Sequence, residues 1–219
     1  MSETTTLAEL AVAHPAAARV FYANRLDFCC GGRRPFADAC RERGLDAAAI
    51  LDEIRREEAS GEPATRWELA PMSSLVDHIV NHYHRRLRET LPNLLRMARK
   101  VEARHGDKPT CPVGLATLLE QVERSVLDHL EKEETILFPT IVRQSGARVA
   151  APVCVMELEH EHHKSGLLRI RALTNDLTPP VEACLTWRAL YIGLQQFEQE
   201  LMEHIHLENN ILFRRALAA

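Results

Sequence analysis

From about residue 73 onward, apolar residues recur every three or four positions in four long stretches, the period of an amphipathic helix. The pattern predicts helices over 73–105, 113–143, 151–173 and 181–217, separated by "HGDKPTCP", "QSGA" and "TNDLTPP". Long helices with shorter connections predict an all-α, up-down-up-down four-helix bundle. Pro92 and Pro139 fall inside helical pattern, so each is expected to kink or break its helix. The first 60 residues are choppier. Thr5 or Thr6 caps "LAELAVAH", Pro15 opens a helix to about Asn24, Pro35 to Arg43 form a third that Gly44 stops, and Asp46 caps a fourth from Ala47 to about Glu58. "EEASGEPATRWELAP" reads as a linker. The expected organisation is a small helical domain (1–60), a linker (61–72) and the bundle (73–219).

Helical phase also places the histidines. In the second long helix Val122, Val126, His129, Glu133 and Ile136 share one stripe, and in the fourth Phe197, Leu201, His204, Glu208 and Ile211 repeat it. "DHLEKEETILF" and "EHIHLENNILF" write the two stretches in parallel. In the first helix Val80, His84, Leu87, Leu91 and Leu94 face inward, whereas His78 and His82 lead to Arg85 and Glu89 on a solvent face. In the third, Met156, His160, His163 and Leu167 share a stripe and His162 lies off it. His129 follows His84 by 45 residues and His204 follows His160 by 44, so the chain writes two matched halves.

Composition changes this picture little. Apolar residues are 46% and charged residues 26% of 219, with 9 glycines and 5% aromatics, an ordinary globular balance that argues against a β-rich fold. A net charge of −4 with no Lys/Arg run offers no nucleic-acid surface. No apolar run reaches the ~20 residues of a membrane span, and "MSETTTLAEL" lacks the features of a secretory leader, so a cytoplasmic location is expected. Six scattered cysteines read as thiols, and 11 histidines are the unusual count.

A glutamate on an apolar helix face costs several kcal/mol unless it is paired, protonated or metal-bound. Two of them with four inward histidines, and no Lys or Arg on those stripes, call for cations from outside. His and Glu four apart lie about 6 Å apart along one helix side, able to grip one metal or to bridge two. Imidazole and carboxylate suit iron, manganese or zinc. Six ligands exceed a tetrahedral zinc and fit two metals ~3.5–4 Å apart.

The ordered set "DFCCGG", "DHIVNHYHRRLRETLP", "GDKPTCPVGL", "HLEKEETILFP", "VMELEHEHH", "TPPVEAC" and "HIHLENNILF" resembles the hemerythrin-like domain, and more closely the repair-of-iron-centres di-iron proteins of YtfE/ScdA type, over nearly the whole chain. The resemblance implies two non-haem iron ions, μ-oxo and carboxylate bridged, with His84, His129, His160 and His204 as terminal ligands and Glu133 and Glu208 as bridges. It implies repair of iron–sulfur clusters damaged by nitric oxide or peroxide, damaged iron–sulfur proteins as partners, nitric oxide or oxygen as small ligand, and a homodimer. Nitric oxide reduction to nitrous oxide, or oxygen binding or sensing, are the competing expectations. His163 is the residue able to alter the ligand count.

Cys29 and Cys30 precede Gly31 and Gly32, which allow unusual backbone angles and close approach, and Arg33 and Arg34 could lower a thiol pKa. The pair is expected to be redox-active or transiently metal-binding, handing iron or electrons to or from the centre, the alternative being a structural turn with incidental thiols; Cys40 is a candidate resolving thiol, and Cys111, Cys154 and Cys184 look like helix-end or core residues. Glu159, beside His160, is a candidate for a channel or proton relay, or an ordinary surface glutamate.

Overall fold

A computed structural model describes residues 4–60, 65–143 and 148–219. The first four residues of the expected linker, 61–64, lie outside the described residues, as does the whole "QSGA" turn, 144–147. The N-terminal part holds α1 (Leu7–Ala13), α2 (Ala17–Ala23), α3 (Phe36–Arg43) and α4 (Ala47–Ser60). Thr6 caps α1 in a reciprocal box with Glu9, whose carboxylate returns to the Thr6 amide. Gly44 ends α3 in the left-handed region (φ 67°), and Asp46 accepts from the Ala48 amide at the start of α4. Their apolar faces close a small core of Leu7, Val20, Phe21, Phe28, Phe36, Ile50 and Ile54.

Four long helices come next, each built of consecutive helical segments: α5 (72–105), α6 (115–143), α7 (Ala150–Leu173) and α8 (185–218). α5 packs along both α6 and α8, and α7 lies along α6. Leu87, Leu91, Leu94, Leu119, Val126, Leu167, Trp187, Leu194 and Phe197 fill the interior of one half. Neither proline ends its helix: α5 runs through Pro92, and the last segment of α6, Phe138–Arg143, contains Pro139. The starts differ from expectation. Val113 and Val181 are exposed and precede their helices, which open at Leu115 after Gly114 and at Leu185 after Cys184.

Three of the long helices contain a π-helical turn: Ile79–His84 in α5, Glu133–Leu137 in α6 and Glu208–Leu212 in α8. The Phe138 amide bonds the Glu133 carbonyl and the Phe213 amide bonds Glu208, one residue further back than in an α-helix. That extra residue rotates the remainder of the helix about its axis. Ile136, expected on the inner stripe, is therefore 58% exposed, while Leu137 and Phe138 point inward. Ile211 at the matching position in α8 stays buried because it joins an apolar cluster with Leu75, Ile79 and Met156, against which Val12 of α1 packs.

The N-terminal part docks on the bundle through polar anchors. The Tyr22 hydroxyl donates to Glu198, which also takes the Arg171 guanidinium; Arg25 meets Asp176, Arg33 meets Glu157, and Asp27 meets Lys164 at 2.7 Å. The Cys29–Cys30 turn lies at this junction. Its glycines are there for close approach: a Cβ on Gly32 would sit 2.6 Å from the Phe28 carbonyl and 2.9 Å from Ala8 Cβ. Neither Gly31 nor Gly32 is among the positive-φ residues, so the expectation of unusual backbone angles is not met. Gly32→Ala is expected to destabilise the full chain by about 1–3 kcal/mol, read as a lower urea midpoint with unchanged slope; an unmoved midpoint would show that the turn has slack.

Candidate metal centre

α5 and α7 each bring one buried histidine to the middle of the bundle, His84 and His160, and α6 and α8 each bring a His-x-x-x-Glu pair, His129 with Glu133 and His204 with Glu208. None of the six is more than 1% exposed. They form two overlapping sets. Ligand atoms of His84, Glu133, His204 and Glu208 lie within 4.8 Å of one another, as do those of His129, Glu133, His160 and Glu208. Both carboxylates therefore belong to both sets. Glu133 Oε2 is 3.5 Å from His84 Nε2 and 3.4 Å from His129 Nε2. Glu208 turns Oε1 to His204 at 2.8 Å and Oε2 to His160 at 3.2 Å. The Nε2 atoms of His84 and His204 face each other at 3.1 Å, and those of His129 and His160 at 3.0 Å.

Hydrogen bonding does not account for this cluster. Neither oxygen of Glu133 has a partner of hydrogen-bond geometry, and Glu208 Oε2 also lacks one. Orphaned carboxylate oxygens at full burial cost several kcal/mol unless a cation meets them. Electrostatics agree. Burial alone would depress the His84 and His129 imidazoles, yet Glu134, Glu208 and Glu133 around His84, and Glu133, Glu208 and Glu159 around His129, outweigh it and draw both up to about 9. Burial opposes the Glu208 charge too, but His204, His160 and His84 hold its pKa well below the ordinary value. The donor set of four imidazoles and two shared carboxylates fits one or two transition-metal cations.

The outward nitrogens are held in turn. His84 Nδ1 meets Glu134 at 2.8 Å, and Arg88 bonds the same carboxylate oxygen. The hydrogen bond from His84 does most to lower the Glu134 pKa, to about 2; burial works against it and Arg88 adds to it. His129 Nδ1 meets Glu159 at 2.9 Å, with Lys132 on its other oxygen. His160 Nδ1 meets Asn209 Oδ1 at 2.8 Å. These partners fix the tautomer that aims Nε2 inward. Phe138 stacks on His84 and Phe213 on His160, at ring separations of 5.6 and 6.0 Å.

The two halves match position by position until this outer layer. Glu134 follows Glu133 and holds the histidine of α5; Asn209 follows Glu208 and holds the histidine of α7. Glu159 precedes His160 and holds His129, but the residue preceding His84 is Tyr83, whose ring stacks on His204 at 5.7 Å. His204 Nδ1 is accordingly buried with no partner. Three residues beyond His160 stands His163, and three beyond His84 stands Leu87.

His163 is outside both sets. It is buried with neither nitrogen hydrogen-bonded, and packs its ring edge-on to His129 at 4.8 Å. Burial, reinforced by His129, His160 and His204, depresses it to about 2, so it is neutral. His82 and His162 are exposed, and His78 is half-buried, stacked on Trp67. Sequence phase missed Glu134 and Asn209, although each stands next to an inward glutamate. It also missed buried His206, which lies edge-on to Phe28 and whose Nδ1 accepts from Asn210.

The cysteines correct one expectation. Arg33 and Arg34 turn to Glu157 and Glu42, not to the thiols. Cys29 is buried, 3.8 Å from Cys30 Sγ and 3.4 Å from Asp27, and its pKa is raised, first by the Cys30 hydrogen bond, then by burial and the Asp27 charge. Cys30 is half-buried. Cys40 is buried in the separate N-terminal core, Cys111 is buried at a turn, Cys154 is exposed on α7, and Cys184 caps α8 with its sulfur 3.3 Å from His105.

Among the described residues no helix is long and apolar enough to cross a membrane. Residues 75–216 match the model of the hemerythrin HHE cation binding domain, and residues 3–58 match a domain of unknown function, DUF542, the ScdA N-terminal type. The chain is similar to the iron–sulfur cluster repair protein YtfE of Yersinia pseudotuberculosis serotype O:1b (strain IP 31758), 45% identical over 212 residues that cover 97% of this chain and 96% of the relative. It is 44% identical, over the same shares, to the protein of that name in Yersinia pestis (strain Pestoides F). With its bundle, its four inward histidines and its two shared glutamates, the chain belongs to the hemerythrin-like YtfE family of iron–sulfur cluster repair proteins.

Proposed function

We propose that the chain holds two non-haem iron ions and repairs iron–sulfur clusters damaged by nitrosative and oxidative stress. The observation that carries the reading is the sharing of Glu133 and Glu208 between two four-residue sets, with carboxylate oxygens buried and unpaired. One metal would use one set and leave the inward nitrogens of the other set's two histidines without a cation; two metals use every donor. The name of the relatives supplies the repair role. No contact in the cluster favours nitrous oxide formation or oxygen carriage as the main task.

In this reading His84, His129, His160 and His204 are terminal ligands and Glu133 and Glu208 bridge. Bound iron supplies redox chemistry, sites for nitric oxide or oxygen, and the iron with which a damaged cluster is refilled. The chain's own work is to keep each Nε2 lone pair aimed inward, through Glu134, Glu159 and Asn209, and to exclude water with Phe138 and Phe213. Glu159 acts as an orienting group on His129, bridged to solvent by Lys132. Residues 1–60 are a thiol-bearing domain joined by 61–72 to the bundle at 73–219. Cys30, the more exposed of the vicinal pair, meets partners first. A cytoplasmic location, damaged iron–sulfur proteins as partners and a homodimer complete the proposal.

Anaerobically loaded wild type is expected to bind two irons per chain by metal analysis, and Glu133→Leu to lose at least one. A single iron in the wild type would overturn the shared-carboxylate arrangement. Glu134→Gln, which keeps size and loses charge, is expected to weaken iron affinity by roughly 10–100-fold, measured by chelator competition; unchanged affinity would make Glu134 a surface residue only. The function itself is tested on an iron–sulfur enzyme inactivated by nitric oxide. Loaded wild type should restore its activity and Glu133→Leu should not; equal recovery with both, or none with the wild type, rejects the repair role.

A further inference from the structure

The double-cysteine turn is fastened to α7 on either side of His160, and to α8 through the two asparagines that follow Glu208. Arg33 reaches Glu157, three residues before His160 on α7, and Asp27 reaches Lys164, four residues after it. Asn209 meets His160, which stands between those two positions on α7. Its Oδ1 takes the hydrogen bond from His160 Nδ1 at 2.8 Å, and its Nδ2 donates to the carbonyl of Cys29 at 3.4 Å. One amide thus spans from an inward imidazole to the backbone of a thiol residue. Its neighbour Asn210 holds the same turn, donating to the Phe28 carbonyl at 3.0 Å and to the Cys29 carbonyl at 3.4 Å, but its remaining contact is to His206, outside the cluster.

Glu134, the counterpart of Asn209 in the other half, is a carboxylate and ends its chain of contacts at Arg88. A carboxylate only accepts hydrogen bonds, whereas an amide accepts and donates at once. Only the amide can pass a change at His160 onward to the turn. Polarisation sets the direction of that effect. A cation on Nε2 withdraws electrons from the ring and makes Nδ1–H a stronger donor. The Asn209 carbonyl is then more polarised, and its N–H groups become better donors in turn. The bond to Cys29 is longer than the ordinary 2.7–3.2 Å range, so it has room to tighten.

We propose that Asn209 is a positioning residue that couples the metal centre to the double-cysteine turn: filling the His160 side tightens the turn and shields Cys29. The proposal rests on the two-iron reading above, and the test separates failure of one from failure of the other. Full-length protein is compared metal-free and loaded with ferrous iron under anaerobic conditions, desalted, with iron content measured. Each cysteine's alkylation by iodoacetamide is then tracked by peptide mass spectrometry, with exposed Cys154 as the internal reference. In the wild type, iron is expected to slow Cys29 alkylation roughly threefold or more, the scale of one hydrogen bond gained. Asn209→Asp can still accept from His160 Nδ1 but has no N–H for the Cys29 carbonyl. It should keep its iron and lose the difference between loaded and metal-free protein. Asn210→Ala should speed Cys29 alkylation in both states and keep their ratio. Equal Cys29 rates in iron-loaded and metal-free wild type, or a wild-type ratio in folded, iron-loaded Asn209→Asp, overturns the coupling. Failure of the wild type to bind iron overturns the two-iron reading beneath it.

Discussion

Two carboxylates are buried at the centre of this molecule with no lysine or arginine beside them. Glu133 and Glu208 lie on apolar faces of α6 and α8, ringed by imidazoles, and three of their four oxygens have no hydrogen-bond partner. A bundle of this size is stable by only about 5–15 kcal/mol, and two uncompensated buried charges would use much of that. The architecture makes sense as a cage whose interior charge is completed from outside. The raised imidazole pKa values of His84 and His129 register the same negative field.

The cage is built twice. A helix with an inward histidine precedes a helix with His-x-x-x-Glu, and each of those glutamates opens a π-helical turn. The turn places Glu and the residue after it on the two jobs the centre needs: the glutamate reaches inward and its neighbour reaches across to hold a histidine on another helix. The halves then diverge where their surroundings differ. Tyr83 stands where the other half has Glu159, and Asn209 where it has Glu134, so His204 lacks an outer partner and His160 has an uncharged one. The uncharged partner faces the N-terminal domain. A carboxylate there would stand near the Cys29 carbonyl, with nothing to donate to it.

The thiol turn depends on tertiary surroundings more than on its own residues. Its two arginines, adjacent in sequence, leave for Glu157 and Glu42, and the nearest charge to Cys29 is Asp27. The Cys30 thiol, burial and that carboxylate together raise the Cys29 pKa, the reverse of what a neighbouring arginine would do. The vicinal glycines matter because Ala8 and the Phe28 carbonyl approach too closely for a Cβ.

The sequence by itself determined the helices, the all-α bundle and the six inward side chains, because helical period fixes which residues share a face. His84, His129, Glu133, His160, His204 and Glu208 were legible for that reason: each lies in phase with an apolar stripe. The same reasoning lost phase after Glu133, where the π-turn inserts one residue and Ile136 swings to solvent. Only the tertiary structure decided which carboxylate meets which imidazole across the bundle, that Glu134 and Asn209 reach to other helices, and that Arg33 leaves the thiols for Glu157. Those choices join residues as much as 124 positions apart, and no local period carries information over such a distance; packing of one helix on another does.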